Sequence, residues 1–230
     1  MEVLLGEKPL RDDVLLKDAV ETGELQVVFS ILPELTPIRC TSALEARCKK
    51  EAIYVVDVPS GTERIVDNAF AGCVELRVVR LPESLKSIGH GAFADCVALS
   101  HVRIPAAVSY IQDYAFNHCS ALVEVVVPDS VQHIGEYGFA DCNSMTSLVL
   151  PALTWGEHAF EGCSSLSTLS LPEVTSIAPF SFNCCRALTT LTMPNTVQDI
   201  GNCAFNGCSS LCSLELPSSV RLRPPRLQRL

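Results

Sequence analysis

The sequence predicts a parallel β-solenoid with short helical turns, preceded by a small N-terminal α-helical cap, and two periodicities carry that expectation. A phenylalanine recurs at Phe70, Phe93, Phe116, Phe139, Phe160, Phe182 and Phe205, at spacings of 23, 23, 23, 21, 22 and 23 residues. Around it runs the pattern A-F-x-x-C-x-x-L-x-x-L-x-L-P, closed by Pro82, Pro105, Pro128, Pro151, Pro172, Pro194 and Pro217. Chance does not produce seven copies in register. A unit of this length buries its apolar side only by stacking on its neighbours.

Each position in the unit has a physical reason. A coil that returns to its start one strand spacing further on, about 4.8 Å, stacks its strands in parallel. In L-x-x-L-x-L the last two apolar residues alternate with outward ones, so pairs such as Leu169/Leu171 and Leu214/Leu216 are expected to point inward. Proline directly after them lacks an N–H, ends the strand and turns the chain. Phe and Cys, three residues apart, fit one face of a tight helical turn. The small residue before each Phe (Ala69, Ala92, Ala115, Gly138, Ala159, Ser181, Ala204) leaves room for close backbone packing. Stacked phenylalanines then form a spine, and Cys73, Cys96, Cys119, Cys142, Cys163, Cys185 and Cys208 stack as small buried hydrophobes rather than as a bridging framework. Between units runs a second element, seen in Leu85–Gly89, Val131–Gly135 and Val197–Gly201, whose glycine allows a turn that a β-carbon resists. A degenerate rung at Ile53, Val56, Val58 and Pro59, with Ile65, precedes the series.

The string A-F-x-x-C-x-x-L-x-x-L-x-L-P-x-S-V-x-x-I-G, clearest in Phe116–Gly135 and Phe205–Val220, resembles the BspA-like class of leucine-rich repeats over residues 53–220. The resemblance implies a leucine-rich-repeat solenoid, right-handed, used for protein contact and in family members often displayed on cell surfaces as an adhesin. Shortened units around Trp155 and Ala178-Pro179 are expected to kink the coil locally.

The two ends depart from the repeat, dividing the chain into 1–50, a helical cap; 51–220, one degenerate rung plus seven; and 221–230, a basic disordered tail. Asp12–Glu21 and Glu24–Leu32 read as two amphipathic helices around Thr22-Gly23, and a third starts at Ser42, where Ser42 and Glu45 make a capping box. Residues 15–28 also resemble a single ankyrin helix pair. Arg221 to Leu230 holds four arginines and two prolines in ten residues, and without a cap the last rung offers an open edge for self-association.

Composition narrows the function. The 230 residues are 48% hydrophobic and carry a net charge of −9. No stretch approaches the ~20 apolar residues of a membrane span, and the charged start (Glu2, Glu7, Lys8, Arg11, Asp12, Asp13) leaves no apolar core for an export signal. A cytoplasmic location is therefore expected, or the cell surface if a signal peptide is missing from this chain. None of the repeat asparagines begins an N-x-Ser/Thr sequon, which points the same way.

No enzyme, cofactor or metal is expected. Gly89-His90-Gly91-Ala92-Phe93-Ala94 matches a dinucleotide pattern but lies inside the repeat with no long helix after it. Cysteines spaced by 21–23 residues lack the C-x-x-C economy of a zinc site. The five histidines fall in different rungs with no catalytic motif beside them.

What remains is a protein-binding face on the outward strand positions. Residues 51–220 contain only six basic residues, and Arg77, Arg80 and Arg103 lie on this face in neighbouring rungs beside His101. Further along, Thr168, Ser170, Thr190 and Thr192 make a hydroxyl lawn. An acidic or phosphorylated protein segment would match the arginine forks. Nucleic acid is not expected, because no aromatic platform interleaves the arginines and the net charge is negative.

Overall fold

The computed structural model of the chain describes residues 55–171, 174–212, 214 and 216–220, together with the backbone of residues 3–5, 8–10 and 27–29. Three short strands come first: β1 (Val3–Leu5), β2 (Lys8–Leu10) and β3 (Val27–Phe29). From β4 (Val55–Asp57) onward the chain coils. Each turn holds a three-residue strand and a two-residue strand, giving β5 (Arg64–Ile65), β6 (Val78–Arg80), β7 (Ser87–Ile88), β8 (His101–Arg103), β9 (Tyr110–Ile111), β10 (Glu124–Val126) and β11 (His133–Ile134). The series continues through β12 (Ser147–Val149), β13 (Thr154–Trp155), β14 (Thr168–Ser170), β15 (Ser176–Ile177), β16 (Thr190–Thr192) and β17 (Asp199–Ile200).

The three-residue strands form a sheet in the order β16-β14-β12-β10-β8-β6-β4-β3-β1-β2. It is parallel from β3 to β16, with Val125 opposite both Val102 and Leu148, and Leu169 opposite Leu191. The two-residue strands build a second parallel ladder, β5 to β13. That ladder stops at Trp155 and resumes as the separate pair β15–β17, across the shortened units, while the main sheet runs on unbroken.

The core sits between the two ladders and the turns. Phe93, Phe116, Phe139, Phe160 and Phe182 are fully buried. Their rings stack face to face from Phe70 to Phe205, with centroids 5.0–5.9 Å apart and planes within 10°. The widest step, Phe139 to Phe160 at 5.9 Å, spans the 21-residue unit. Trp155 fills that region, lying edge-on to Phe160 and Phe182 and donating its indole N–H to the buried Ser181 hydroxyl at 2.8 Å.

Several expectations need correcting. Val27–Phe29 is a strand rather than part of a helix: a Val-Val-Phe run suits a pleated surface, and its parallel pairing with β4 provides the backbone partners. The proposed helices at Asp12–Glu21 and from Ser42 lie outside the described residues, as does the 221–230 tail. The turns around each Phe are not helical. In the first, Ala69, Ala71 and Cys73 donate their N–H groups three residues back, whereas Asn68, Phe70 and Gly72 donate to His90, Ala92 and Ala94 of the next rung. Every second N–H leaves the turn, so no helix can propagate. Leu214 and Leu216, expected inside, are 37% and 44% exposed because the last described rung has a packed neighbour on one side only.

The glycine after Ile88, Ile134 and Ile200 has a different cause from the expected one. A β-carbon on Gly135 would come within 2.2 Å of Asp113 Oδ1 and 2.4 Å of its backbone nitrogen, so close approach to the preceding rung excludes a side chain. Left-handed backbone occurs elsewhere, two residues before and two after each Phe, from Asn68 and Gly72 to Cys203 and Gly207.

Candidate functional site

On the main sheet the central residue of each strand is buried and its flanks face outward. Register places Val78, His101, Glu124, Ser147, Thr168 and Thr190 in one column. A second column holds Asp57 and Arg80, then Arg103, Val126, Val149, Ser170 and Thr192. The residues singled out from sequence therefore share one face, with Arg77 exposed just before β6. They do not form one continuous patch. Between the arginines and the hydroxyls stand Val126 and Val149, 63% and 64% exposed, an apolar step that composition alone had not drawn out.

The arginines are also compensated. Arg80 donates to both oxygens of Asp57 at 2.9 and 3.2 Å, and Arg103 lies 3.6 Å from Glu83. The sequence signal for the first pair was present, since Asp57 precedes Arg80 by one repeat. His101 is tied to Ser100 through Nδ1 at 2.9 Å. Such exposed pairs hold weakly, at roughly 0–1 kcal/mol each.

A second surface runs along the Phe-bearing turns, and the sequence reading missed it. Two residues before the phenylalanines come Tyr114, Tyr137, His158 and Phe180, all with φ between 54° and 59°. Bulky side chains seldom adopt this backbone. Here their rings stack in a ladder, Tyr114 to Tyr137 at 4.9 Å, Tyr137 to His158 at 4.5 Å and His158 to Phe180 at 4.6 Å, with His90 tilted against Tyr114. Beside it, three residues before each Phe, stand the exposed Asp67, Asp113, Glu136 and Glu157. Partial burial, the neighbouring Tyr114 and the carboxylates of Glu161, Glu136 and Glu157 raise the Tyr137 phenol above its ordinary pKa. Two residues after the Phe, His118 bridges Asp95 at 3.3 Å and Asp141 at 3.0 Å. A shallow recess of about 370 Å³, lined by Asp141, Asn143, Glu161, Ser164, Cys184 and Arg186, opens alongside.

The cysteine column is buried from Cys73 to Cys185, as expected of small hydrophobes, with Cys208 half-buried at its end, and it does more. The thiols of Cys96, Cys119, Cys142, Cys163, Cys185 and Cys208 donate to the carbonyls of Phe70, Phe93, Phe116, Phe139, Phe160 and Phe182 of the preceding rung at 3.1–3.5 Å. Burial pushes the Cys96 and Cys163 thiols up to about 12. Cys73 departs from the expectation, being disulfide-bonded. Among the described residues no group of three or more His, Cys, Asp or Glu side chains is placed to hold a metal ion, and no helix is long and apolar enough to cross a membrane.

Comparison with known proteins agrees with this geometry. Solved structures similar to the chain include a leucine-rich repeat protein from Bacteroides ovatus, 27% identical with a TM-score of 0.70, matched over 73% of this chain and 46% of that one. The chain thus spans under half of that relative. A leucine-rich repeat protein from T. pallidum is 34% identical with a TM-score of 0.64, matched over 68% of this chain and 77% of that one. No curated protein matches the chain. The model of the BspA type leucine rich repeat region matches residues 46–154 and 152–223 in six copies. By its stacked Phe spine, its parallel ladders and this match, the chain belongs to the BspA-type leucine-rich-repeat family.

Proposed function

We propose that this chain is a non-enzymatic scaffold that binds a protein partner on the outward face of its main sheet. Proteins of this repeat class are commonly protein-interaction scaffolds and generally non-enzymatic. The observation that carries the finer reading is the second outward column, which passes from Arg80 and Arg103 through the exposed Val126 and Val149 to Ser170 and Thr192. An apolar step rimmed by charge and hydroxyls is the composition of a binding patch. The partner segment we favour is acidic or phosphorylated. Its carboxylates or phosphates would displace Asp57 and Glu83 at small cost and meet Arg77, Arg80, His101 and Arg103. Thr168, Ser170, Thr190 and Thr192 would hydrogen-bond the rest of it.

The test uses an oligo-glutamate peptide and a doubly phosphorylated serine peptide as probes. The Arg80→Glu/Arg103→Glu double variant is expected to lose at least tenfold in affinity, and Val126→Asp to weaken binding as well. Unchanged affinity in the double variant removes the arginines from the site. The compartment follows from a separate measurement: we place the chain in the cytoplasm, and labelling of intact cells with an impermeant reagent would instead assign it to the surface as an adhesin.

A further inference from the structure

We propose that Tyr114 and Tyr137 form a site of oxidative cross-linking, at which two equivalents of a one-electron oxidant join adjacent rungs of the solenoid through a dityrosine bond.

The two phenol rings are stacked with centroids 4.9 Å apart and 9° between their planes. Their backbones are pinned. Tyr114 donates its N–H to the Glu136 carbonyl at 2.8 Å, and Tyr137 donates to that of Glu157 at 3.1 Å. The Tyr114 and Tyr137 carbonyls accept the N–H groups of Asn117 and Ala140 at 3.0 and 3.1 Å. Both residues hold the same left-handed conformation, with φ of 58° and 54°. Only rotations about the side-chain bonds remain, and these bring the ring carbons beside the hydroxyls together. A pair held in this way reacts as an intramolecular couple and does not wait for a chance encounter.

The surroundings confine the coupling to this pair. Tyr114 is 36% exposed and Tyr137 is half-buried, so a small oxidant reaches both. Tyr110 is more exposed, at 49%, yet it stands on the second ladder with Ser87 and His133 in register on its two sides. Within the aromatic ladder, His90 lies against Tyr114 and His158 stacks on Tyr137. Neither imidazole yields a phenoxyl radical. Among the described residues, Tyr114 and Tyr137 are therefore the one pair of phenols on neighbouring rungs.

Partial burial, Tyr114 and the carboxylates of Glu161, Glu136 and Glu157 hold the proton on the Tyr137 phenol. The negative field of those carboxylates, which disfavours a phenolate, eases withdrawal of an electron for the same reason. In the reaction each phenol gives one electron to the oxidant and its O–H proton to solvent, leaving two phenoxyl radicals. The unpaired electrons join as a carbon–carbon bond between the ring positions ortho to the oxygens. The hydrogen on each joined carbon then moves to the phenolic oxygen, which restores both rings. The product has lost two hydrogens and ties the rung of Phe116 to that of Phe139.

The experiment treats the full chain with photo-oxidised ruthenium tris(bipyridine), a small one-electron oxidant regenerated by persulfate, and reads dityrosine by its blue fluorescence. Cleavage before aspartate places Tyr110, Tyr114 and Tyr137 in residues 95–112, 113–128 and 129–140, and mass spectrometry identifies the joined pair. The expected product links 113–128 to 129–140 within one chain, in a yield that does not change on dilution. Tyr114→Phe and Tyr137→Phe, which keep a ring in each place, should each lower the fluorescence about tenfold, and Tyr110→Phe should leave it unchanged. Circular dichroism melting establishes that each variant folds. The cross-linked chain should melt about 5–10 °C higher, because closing the loop between the two tyrosines restricts the unfolded chain. A link to residues 95–112 or a product mainly between chains overturns the proposal. An equal yield of the 113–128 to 129–140 product from the urea-unfolded chain overturns it too, since the stack would then contribute nothing.

Discussion

Replacing Phe116 by alanine tests the spine directly. Its ring is fully buried and stacked on Phe93 at 5.2 Å and Phe139 at 5.0 Å. Withdrawing about 150 Å² of aromatic surface, at ~25 cal/mol per Å², is worth about 4 kcal/mol. The measured range for such truncations is about 3–5 kcal/mol. Phe205 is the internal control. It is half-buried and stacks on Phe182 at 5.6 Å, with no further ring beyond it among the described residues. Its truncation should cost about half as much, roughly 2 kcal/mol. Urea denaturation followed by far-ultraviolet circular dichroism measures both. In a stacked array, where each unit contacts only its neighbours, the Phe116→Ala curve should also broaden as the two halves uncouple. Equal losses at the two positions would refute the idea that stability resides in contacts on both sides of each ring.

Three further outcomes are expected. Raising the pH above about 9 should destabilise the fold progressively: the unfolded chain releases thiol protons there while buried Cys96 and Cys163 hold theirs up to about 12, so stability present below 9 is lost through that window; melting temperatures between pH 7 and 10.5 check this. In the native state a maleimide should label the exposed Cys203 and Cys212 and spare Cys96, Cys119, Cys142 and Cys163 until denaturant is added, read by mass spectrometry. Ser181→Ala should cost about 1–3 kcal/mol by orphaning the Trp155 indole N–H, and Ser181→Ala/Trp155→Phe should cost less than the two single changes together, measured in a double-mutant cycle.

The columns were legible because a solenoid converts sequence period into spatial adjacency. Once Phe93 and Phe116 align in the sequence, their stacking follows, and so does the Asp57–Arg80 pair one repeat apart. The aromatic ladder escaped because its positions change chemistry from rung to rung. Asn68 and Gly91 at that place are readable as left-handed backbone, whereas Tyr114, Tyr137 and Phe180 disguise it. Only the glycines and the asparagine in equivalent places carry the signal. The strand at Val27–Phe29 was hidden for another reason: three residues are too few to reveal a period of two inside a window that also fits a helix.

The alternation of N–H groups in the turns, one bonding back within the turn and the next bonding across to the following coil, makes the chain countable in whole units. Excising a complete 23-residue repeat, from Phe93 to Ala115 for instance, would join donors to acceptors of the same parity and yield a shorter molecule of the same design. Removing one residue from a turn would exchange the two sets of donors and set every following side chain on the wrong surface. Evolution of length in such a chain is therefore quantised: growth or shrinkage by whole coils leaves the architecture intact, and any fraction of a coil must be absorbed, as at Trp155, by breaking a ladder.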